Sequence, residues 1–327
     1  MPSSASSARK ETRVLSAAHR AIQTQDAREQ FTLSLFDDLW RRYRLRVPYV
    51  QTYEWVVREA GATFVNDHIA FRTFACQKPS TGIHSIARIF EALGYSAAAC
   101  YSFPDKHLRS IHYRHPNARF PKLFITELKT YELSAAAQKT ILQALRAHRD
   151  PISDAVLSDL PRAGELPERR RAALISILTD FFRKLPWSIP QKKDILTLDR
   201  ESQFAAWVLV HGYDVNHFTA SVNSHGVAAL DDIEKTVDAL RRAGVPMKPE
   251  IEGERGSRLR QSATEAAVIP VVVREGSKKT SMPWTYAYFE IAQRGEAADP
   301  ETGRRGRFEG FLGGQAARLF EMTKRKR

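Results

Sequence analysis

One unit, a strand followed by a helix and three strands, occurs twice in this chain, and that repetition narrows the choice of fold more than any other feature. The first copy opens with VNDHIAFRTF (65–74), where apolar and polar residues alternate and branched and aromatic side chains abound, as a strand requires. The helix IHSIARIFEALGYS follows, closed by Gly94, and then come the strand-like pieces AAACYSF, LRSIHYRHP and KLFITEL. The second copy opens with DVNHFTASVN (214–223), continues with the helix LDDIEKTVDALRRAGVP broken at Gly244, and ends in KPEIEG, AVIPVVVRE and WTYAYFEIAQ. Asp67-His68-Ile69-Ala70 parallels Asn216-His217-Phe218-Thr219, and FEALGY parallels LRRAGV. The helix-ending glycine falls 26 residues after His68 and 27 after His217. Chance readily puts a histidine in each half of a chain, but less readily at one position of a repeated unit.

The rest of the chain is arranged around these copies. Phe31, Leu35, Phe36, Leu39, Trp40 and Tyr43 form an apolar stripe at spacings of three and four, which predicts a helix over about 26–45. Tyr53, Val56 and Val57 mark a second. Residues 131–200 read as an inserted helical layer, with segments 133–148 and 167–185 interrupted by Pro151, Pro161 and Pro167. The expected fold is α+β: paired βαβββ modules, at about 64–130 and 207–293, forming a curved mixed sheet around a metal pocket, with the helical layer outside. The expected segments are a disordered tail at 1–25, N-terminal helices and first module at 26–130, a helical insertion at 131–206, and second module with C-terminal helix at 207–327.

Composition excludes several classes. An apolar fraction of 43% over 327 residues supplies a sizeable core, and no apolar run approaches the roughly 18 residues of a membrane span. The two cysteines, Cys76 and Cys100, stand apart, which rules out a thiolate metal site or a disulfide framework and points to a reducing interior. The Ser-, Ala- and Arg-rich start has the composition of an organelle transit peptide, against which Glu11 counts. A cytoplasmic location is expected, with import left open. The net charge of +13 fits either nucleic-acid contact or attraction of small anions. The basic runs are short and carry no interleaved aromatics, so no nucleic-acid partner is expected.

Two histidines on equivalent strands of a paired scaffold would present two imidazoles to one concave surface. A carboxylate on the last strand of the second unit would complete a facial triad with open positions. Glu290 suits this role because it sits in the apolar run Tyr286-Ala287-Tyr288-Phe289-Glu290-Ile291, where a carboxylate needs compensation. That compensation is a metal or, equally, an Arg or Lys partner. His68 and His217 can likewise be read as hydrogen-bonded core residues. His211 competes with His217, although Gly212 breaks its run and it has no counterpart before His68. His112 and His115 point to opposite faces of a strand and read as structural. Glu127, the approximate repeat-mate of Glu290, stays open as a fourth ligand or an outer support. Arg72 shares the face of His68 and can grip a carboxylate in a two-pronged pair, or form a structural ion pair. Gly313-Gly314-Gln315 precedes a short helical run whose free N–H groups can hold a carboxylate, or forms a flexible linker.

At His68-x-x-x-Arg72, Val215-Asn216-His217-Phe218-Thr219 and Tyr288-Phe289-Glu290 the chain resembles the 2-oxoadipate dioxygenase/decarboxylase family. The likeness runs from about 30 to 320 and is sharpest in DHIAFRTF, DFFRKLPWSIP and RFEGFLGGQAARLF. That family resembles the vicinal oxygen chelate superfamily, which includes 4-hydroxyphenylpyruvate dioxygenase. The resemblance implies Fe(II) held by His68, His217 and Glu290, with Arg72 reading a substrate carboxylate. It places Gly314 and Gln315 at the substrate pocket. It implies conversion of 2-oxoadipate and O2 to 2-hydroxyglutarate and CO2 in lysine degradation, with no external 2-oxoglutarate. The competing expectation is a non-redox isomerase or lyase using a divalent metal on the same scaffold. The partners expected are the 2-oxo dicarboxylic acid and O2, with no membrane.

Overall fold

The computed structural model describes His19, residues 22–298 and residues 303–324. The tail expected over 1–25 lies mostly outside the described residues. His19 itself is buried and bonds Asp37 and Asn66.

Two helices open the fold, α1 (Ala27–Arg46) and α2 (Tyr49–Glu59). The Asp26 carboxylate caps α1 by accepting the Glu29 N–H, and Glu29 reaches back to the Gln25 N–H. All six apolar stripe residues of α1 are buried. The first module follows as β1 (Asn66–Ala75), α3 (Ile83–Ala92), β2 (Ser96–Phe103), β3 (Leu108–Arg114) and β4 (Lys122–Lys129). Five helices then run through the insertion: α4 (Ala135–Leu145), α5 (Asp154–Asp159), α6 (Glu168–Arg183), α7 (Lys192–Glu201) and α8 (Gln203–His211). The second module comprises β5 (Val215–Ser221), α9 (Ile233–Arg242), β6 (Leu259–Ala263), β7 (Val268–Glu275), β8 (Lys278–Thr285) and β9 (Glu290–Arg294). A small ribbon, β10 (Glu296–Ala298) with β11 (Arg305–Arg307), and helix α10 (Gly313–Leu319) close the chain, ending in a 3-10 turn at Phe320–Thr323. Among the described residues no helix is long and apolar enough to cross a membrane.

Seven strands form one mixed sheet in the order β2-β3-β4-β1-β5-β9-β6. The two modules meet where β1 and β5 run antiparallel. Their register is symmetric about the histidines: His68 lies opposite Thr219, and His217 opposite Ala70. Each histidine thus faces the residue two beyond the other, which puts both on one side of the sheet. The opposite side is apolar and packed. Phe218 meets Trp40 of α1, and Phe71 meets Phe90 of α3 and Phe182 of α6. The expected α+β sheet of paired modules with helices outside is the observed architecture. Both helix-ending glycines have positive φ, 103° at Gly94 and 82° at Gly244, a conformation that costs any residue with a Cβ.

The second copy departs from the predicted strands. AVIPVVVRE and the start of WTYAYFEIAQ do not enter the sheet; β7 and β8 pair with each other as a separate hairpin. One face of that hairpin is open, with Val268 and Val272 exposed, so branched residues misled the apolar count. The strand that does occupy the place is β6, LRQSA, in which Gln261 turns toward Glu290 while Arg260 and Ser262 take the other face, so no apolar alternation marks it.

Glu127 is also placed differently from its expectation. The residue equivalent to Glu290 is Phe124: Thr219 pairs with Glu290, and Ala70, the repeat-mate of Thr219, pairs with Phe124. Glu127 is three residues further on and therefore on the other face. There it accepts the Ile83 N–H at the start of α3 at 2.7 Å and pairs with Arg109.

Candidate metal centre

The concave side of the sheet brings three sequence-predicted residues together at its middle. His68 Nε2 and His217 Nε2 are 3.4 Å apart. Glu290 Oε1 lies 3.4 Å from His68 Nε2, and Glu290 Oε2 lies 3.5 Å from His217 Nε2. All three are buried, and they form the one group with metal-holding geometry found among the described residues.

Backbone and neighbours aim each donor. Each histidine is oriented by the residue before it: Asp67 Oδ2 is 2.8 Å from His68 Nδ1, and Asn216 Oδ1 is 3.1 Å from His217 Nδ1. These acceptors put the proton on Nδ1 and leave both Nε2 lone pairs facing inward. Asp67 is in turn gripped by Arg294, whose Nε and Nη2 donate to its two oxygens at 2.6 and 2.8 Å. The same guanidinium donates through Nη1 to the carbonyls of Phe308 and Gly310, tying the final segment to the ligand support. Burial opposes ionisation of Asp67, yet Arg294 and Lys122 hold its carboxyl well below the usual range. The Asp67/Asn216 pairing was visible in the repeat, but its orienting role was not among the expectations.

The electrostatics call for a cation. Burial pushes Glu290 up to about 8, offset only in part by the hydrogen bond from Gln261. Burial also lowers His68, and burial together with the neighbouring His68 and Arg72 holds His217 well below its usual value. Glu290 Oε2 is buried without a hydrogen-bond partner. The Thr219 hydroxyl lies 3.0 Å from His68 Nε2, and the two imidazole nitrogens oppose ionisation of the buried Glu290 carboxyl unless a positive ion sits between them. One donor atom from each residue lies within 4.8 Å of the others, close enough to share a first-row metal through bonds of about 2.0–2.2 Å, and two imidazoles with one carboxylate is the donor set of non-haem iron oxygenases. The residues therefore fit a divalent metal.

Arg72 follows His68 by four residues on the same strand face and is 1% exposed. Nη1 donates to Thr323 Oγ1 at 2.8 Å and Nη2 to the Phe320 carbonyl at 3.3 Å, while Nε has no partner. Its guanidinium lies 4.8 Å from the Phe204 ring centre and 5.2 Å from that of Trp207. No carboxylate of the described residues forms an ion pair with it, so the structural ion pair that the sequence left open is not formed. Burial lowers its pKa to about 10. Gln315 is buried, donates to the Leu259 carbonyl at 2.9 Å and keeps Oε1 without a partner. Gly314 is exposed, with open space where a Cβ would stand. His211 is remote in role: at the end of α8 its Nε2 bonds the Thr285 carbonyl at 2.9 Å. His115 stacks on Phe120, whereas His112 turns to the concave face.

Fold and centre together define an α+β protein of paired modules with a candidate three-residue metal site. Residues 35–312 match the model of the 2-oxoadipate dioxygenase/decarboxylase family, and the chain belongs to that family. The chloroplastic 2-oxoadipate dioxygenase/decarboxylase of Arabidopsis thaliana is 29% identical over 93% of this chain and 80% of its own length. The chloroplastic/amyloplastic enzyme of Oryza sativa is 28% identical over 90% and 79%. Among solved structures, hydroxyglutarate synthase from Oryza sativa in complex with 2-oxoadipate superposes with a TM-score of 0.71 at 27% identity, covering 92% of this chain and 94% of that one. A Ralstonia eutropha protein assigned to the glyoxalase superfamily, at TM-score 0.75 and 22% identity over 87% and 86%, shares the fold alone. Family membership favours the oxygenase over the non-redox isomerase or lyase.

Proposed function

We propose that this chain is an Fe(II)-dependent oxygenase that converts 2-oxoadipate and O2 to 2-hydroxyglutarate and CO2, a step of lysine degradation. The observation that carries the reading is the convergence of His68, His217 and Glu290 around the unpartnered Glu290 Oε2. Its companion is Arg72, a buried cation on the same face that pairs with no carboxylate of the described residues. His68 and His217 would hold the iron through Nε2, and Glu290 through a carboxylate oxygen. When bound, Fe(II) supplies two-point attachment of the 2-oxo acid and activation of O2.

The protein's own share is placement. Asp67 and Asn216 fix the imidazole tautomers, and Gln261 fixes the Glu290 carboxylate. Arg72 pairs with the substrate carboxylate remote from the metal and so selects which carbon faces the oxidant. The segment bearing Gly314 and Gln315 lines the substrate end, and Phe311, edge-on to His68 at 4.8 Å between ring centres, excludes water from the ligands. The substrate is its own reductant, so carbon dioxide leaves from the acid that is hydroxylated. We place the reaction in the cytoplasm.

The test is an oxygen-electrode screen after anaerobic reconstitution with Fe(II). Rapid uptake with 2-oxoadipate, and none with 2-hydroxy acids, supports the reading. Stoichiometric iron with no uptake on any 2-oxo acid would overturn it.

A further inference from the structure

His112 is a concave-face residue that the proposed reaction leaves unused. Across the sheet it pairs with Phe124, Phe124 with Ala70, and Ala70 with His217, so all four lie in one row. Side chains in one row share a face, which puts His112 on the side of the metal ligands. The Phe311 ring joins the two: its centre is 4.8 Å from that of His68 and 5.3 Å from that of His112.

The Tyr101 hydroxyl accepts the Phe311 N–H at 3.2 Å and lies 3.0 Å from His112 Nδ1. We assign the Tyr101 O–H as the donor to Nδ1, the arrangement that satisfies the phenol proton and places the ring proton on Nε2. Nε2 is buried and has no hydrogen-bond partner among the described residues, in a residue only 4% exposed. A core position needing only shape would carry an apolar residue, because a buried donor without an acceptor is costly. Burial, with Lys122 and Arg114 nearby, keeps the ring neutral by lowering its pKa to about 3. It is thus a donor and not a cation.

We propose that His112 is a specificity-determining residue whose Nε2–H donates a hydrogen bond to the far carboxylate of the 2-oxo dicarboxylic acid. The inference rests on the function proposed above. Strand β3 stands two strands from β1, about 10 Å between backbones, so the end of a substrate attached at the His68 side does not reach it. The far end of a six-carbon diacid does. A donor fixed on β3 also reads length: 2-oxoglutarate, one methylene shorter, falls short of it, while Arg72 stands on β1 itself, four residues from His68. His112 therefore accounts for preference, and Arg72 for affinity toward carboxylates in general.

The experiment measures anaerobic calorimetric affinity of the Fe(II)-loaded protein for 2-oxoadipate and 2-oxoglutarate, with iron content recorded for every variant. His112→Phe is expected to weaken 2-oxoadipate binding about tenfold and to change 2-oxoglutarate binding less than about twofold, as loss of one hydrogen bond to a charged group requires. His112→Gln, which retains an N–H near the same place, is expected to recover most of the loss. Tyr101→Phe frees the tautomer and is expected to reproduce the selective loss in smaller measure, which keeps the test valid if His112→Phe fails to fold. Equal losses on both acids, or no loss with iron intact, would overturn the role of His112 while leaving the proposed reaction standing. A wild-type protein that holds iron but binds neither acid would overturn both.

Discussion

Replacing Arg72 by lysine separates charge from shape at the position proposed to read the substrate. The guanidinium is 1% exposed, makes two hydrogen bonds to the turn Phe320–Thr323, and keeps Nε without a partner. Lysine retains the positive charge but loses the planar fork and the contact with the Phe204 and Trp207 rings. Two costs follow. The bond to Thr323 or to the Phe320 carbonyl is lost, worth about 1.5–3 kcal/mol of stability for a charged donor. The two-pronged carboxylate contact is also lost, worth about 1–3 kcal/mol, or roughly ten- to a hundredfold in kcat/KM. Arg72 is cationic and cannot ligate the metal, so iron binding should survive. The assay compares iron content, thermal midpoint and steady-state kinetics of wild type, Arg72→Lys and Arg72→Ala on 2-oxoadipate and on a 2-oxo acid lacking the far carboxylate. Arg72→Ala should be the worse variant, and the monocarboxylic acid should be the less sensitive substrate. Equal losses on both acids would move the contact to the shared 2-oxo acid end. Loss of iron in Arg72→Lys would make the residue a support of the metal site and refute the substrate-reading role.

Asp67→Asn removes one partner of a buried pair and leaves the Arg294 guanidinium uncompensated, so it should destabilise the fold by about 3–5 kcal/mol in urea unfolding and weaken iron binding about ten- to a hundredfold. Glu290→Gln should abolish the rise in melting temperature on adding Fe(II), while the metal-free variant melts no lower than metal-free wild type because the buried carboxyl it replaces, pushed up to about 8 by burial, gains nothing from ionising without a metal. His211 is buried and its pKa is lowered to about 4, below its unfolded value of about 6.5. The unfolded chain takes up this proton first, so its contribution to stability is full above pH ~6.5 and falls as pH drops toward ~4, by up to roughly 3 kcal/mol. His211→Gln, which can still donate to the Thr285 carbonyl, should flatten that acid slope in urea titrations at pH 7 and pH 5.

The repeat was the most legible feature because it constrains two places at once. His68 and His217 were placed together by position in the unit, and the symmetric pairing with Thr219 and Ala70 is the physical form of that repetition. Glu290 stood out because a carboxylate in an apolar run has few ways to exist. What stayed hidden was polar on the concave side. Strand β6 carries Gln261 toward Glu290, so its residues lack the apolar alternation by which strands are found. Glu127 was matched to Glu290 by rough spacing, and a three-residue offset, odd in a period of two, sends it to the opposite face. The roles of Asp67, Arg294 and His112 depend on contacts spanning 227 and 210 residues of sequence, at Asp67–Arg294 and Tyr101–Phe311, which no local pattern reports.

The central claim, that Fe(II) at His68, His217 and Glu290 drives oxidative decarboxylation with hydroxylation of the same molecule, is tested most directly by supplying oxygen as 18O2. The Fe(II)-loaded protein is given 2-oxoadipate and no other 2-oxo acid, and the products are read by mass spectrometry. The account predicts 2-hydroxyglutarate carrying both oxygen atoms of one O2, one in the new carboxylate and one in the hydroxyl, with one CO2 released per product. A product whose hydroxyl oxygen comes from water, or CO2 release without consumption of O2, would contradict it.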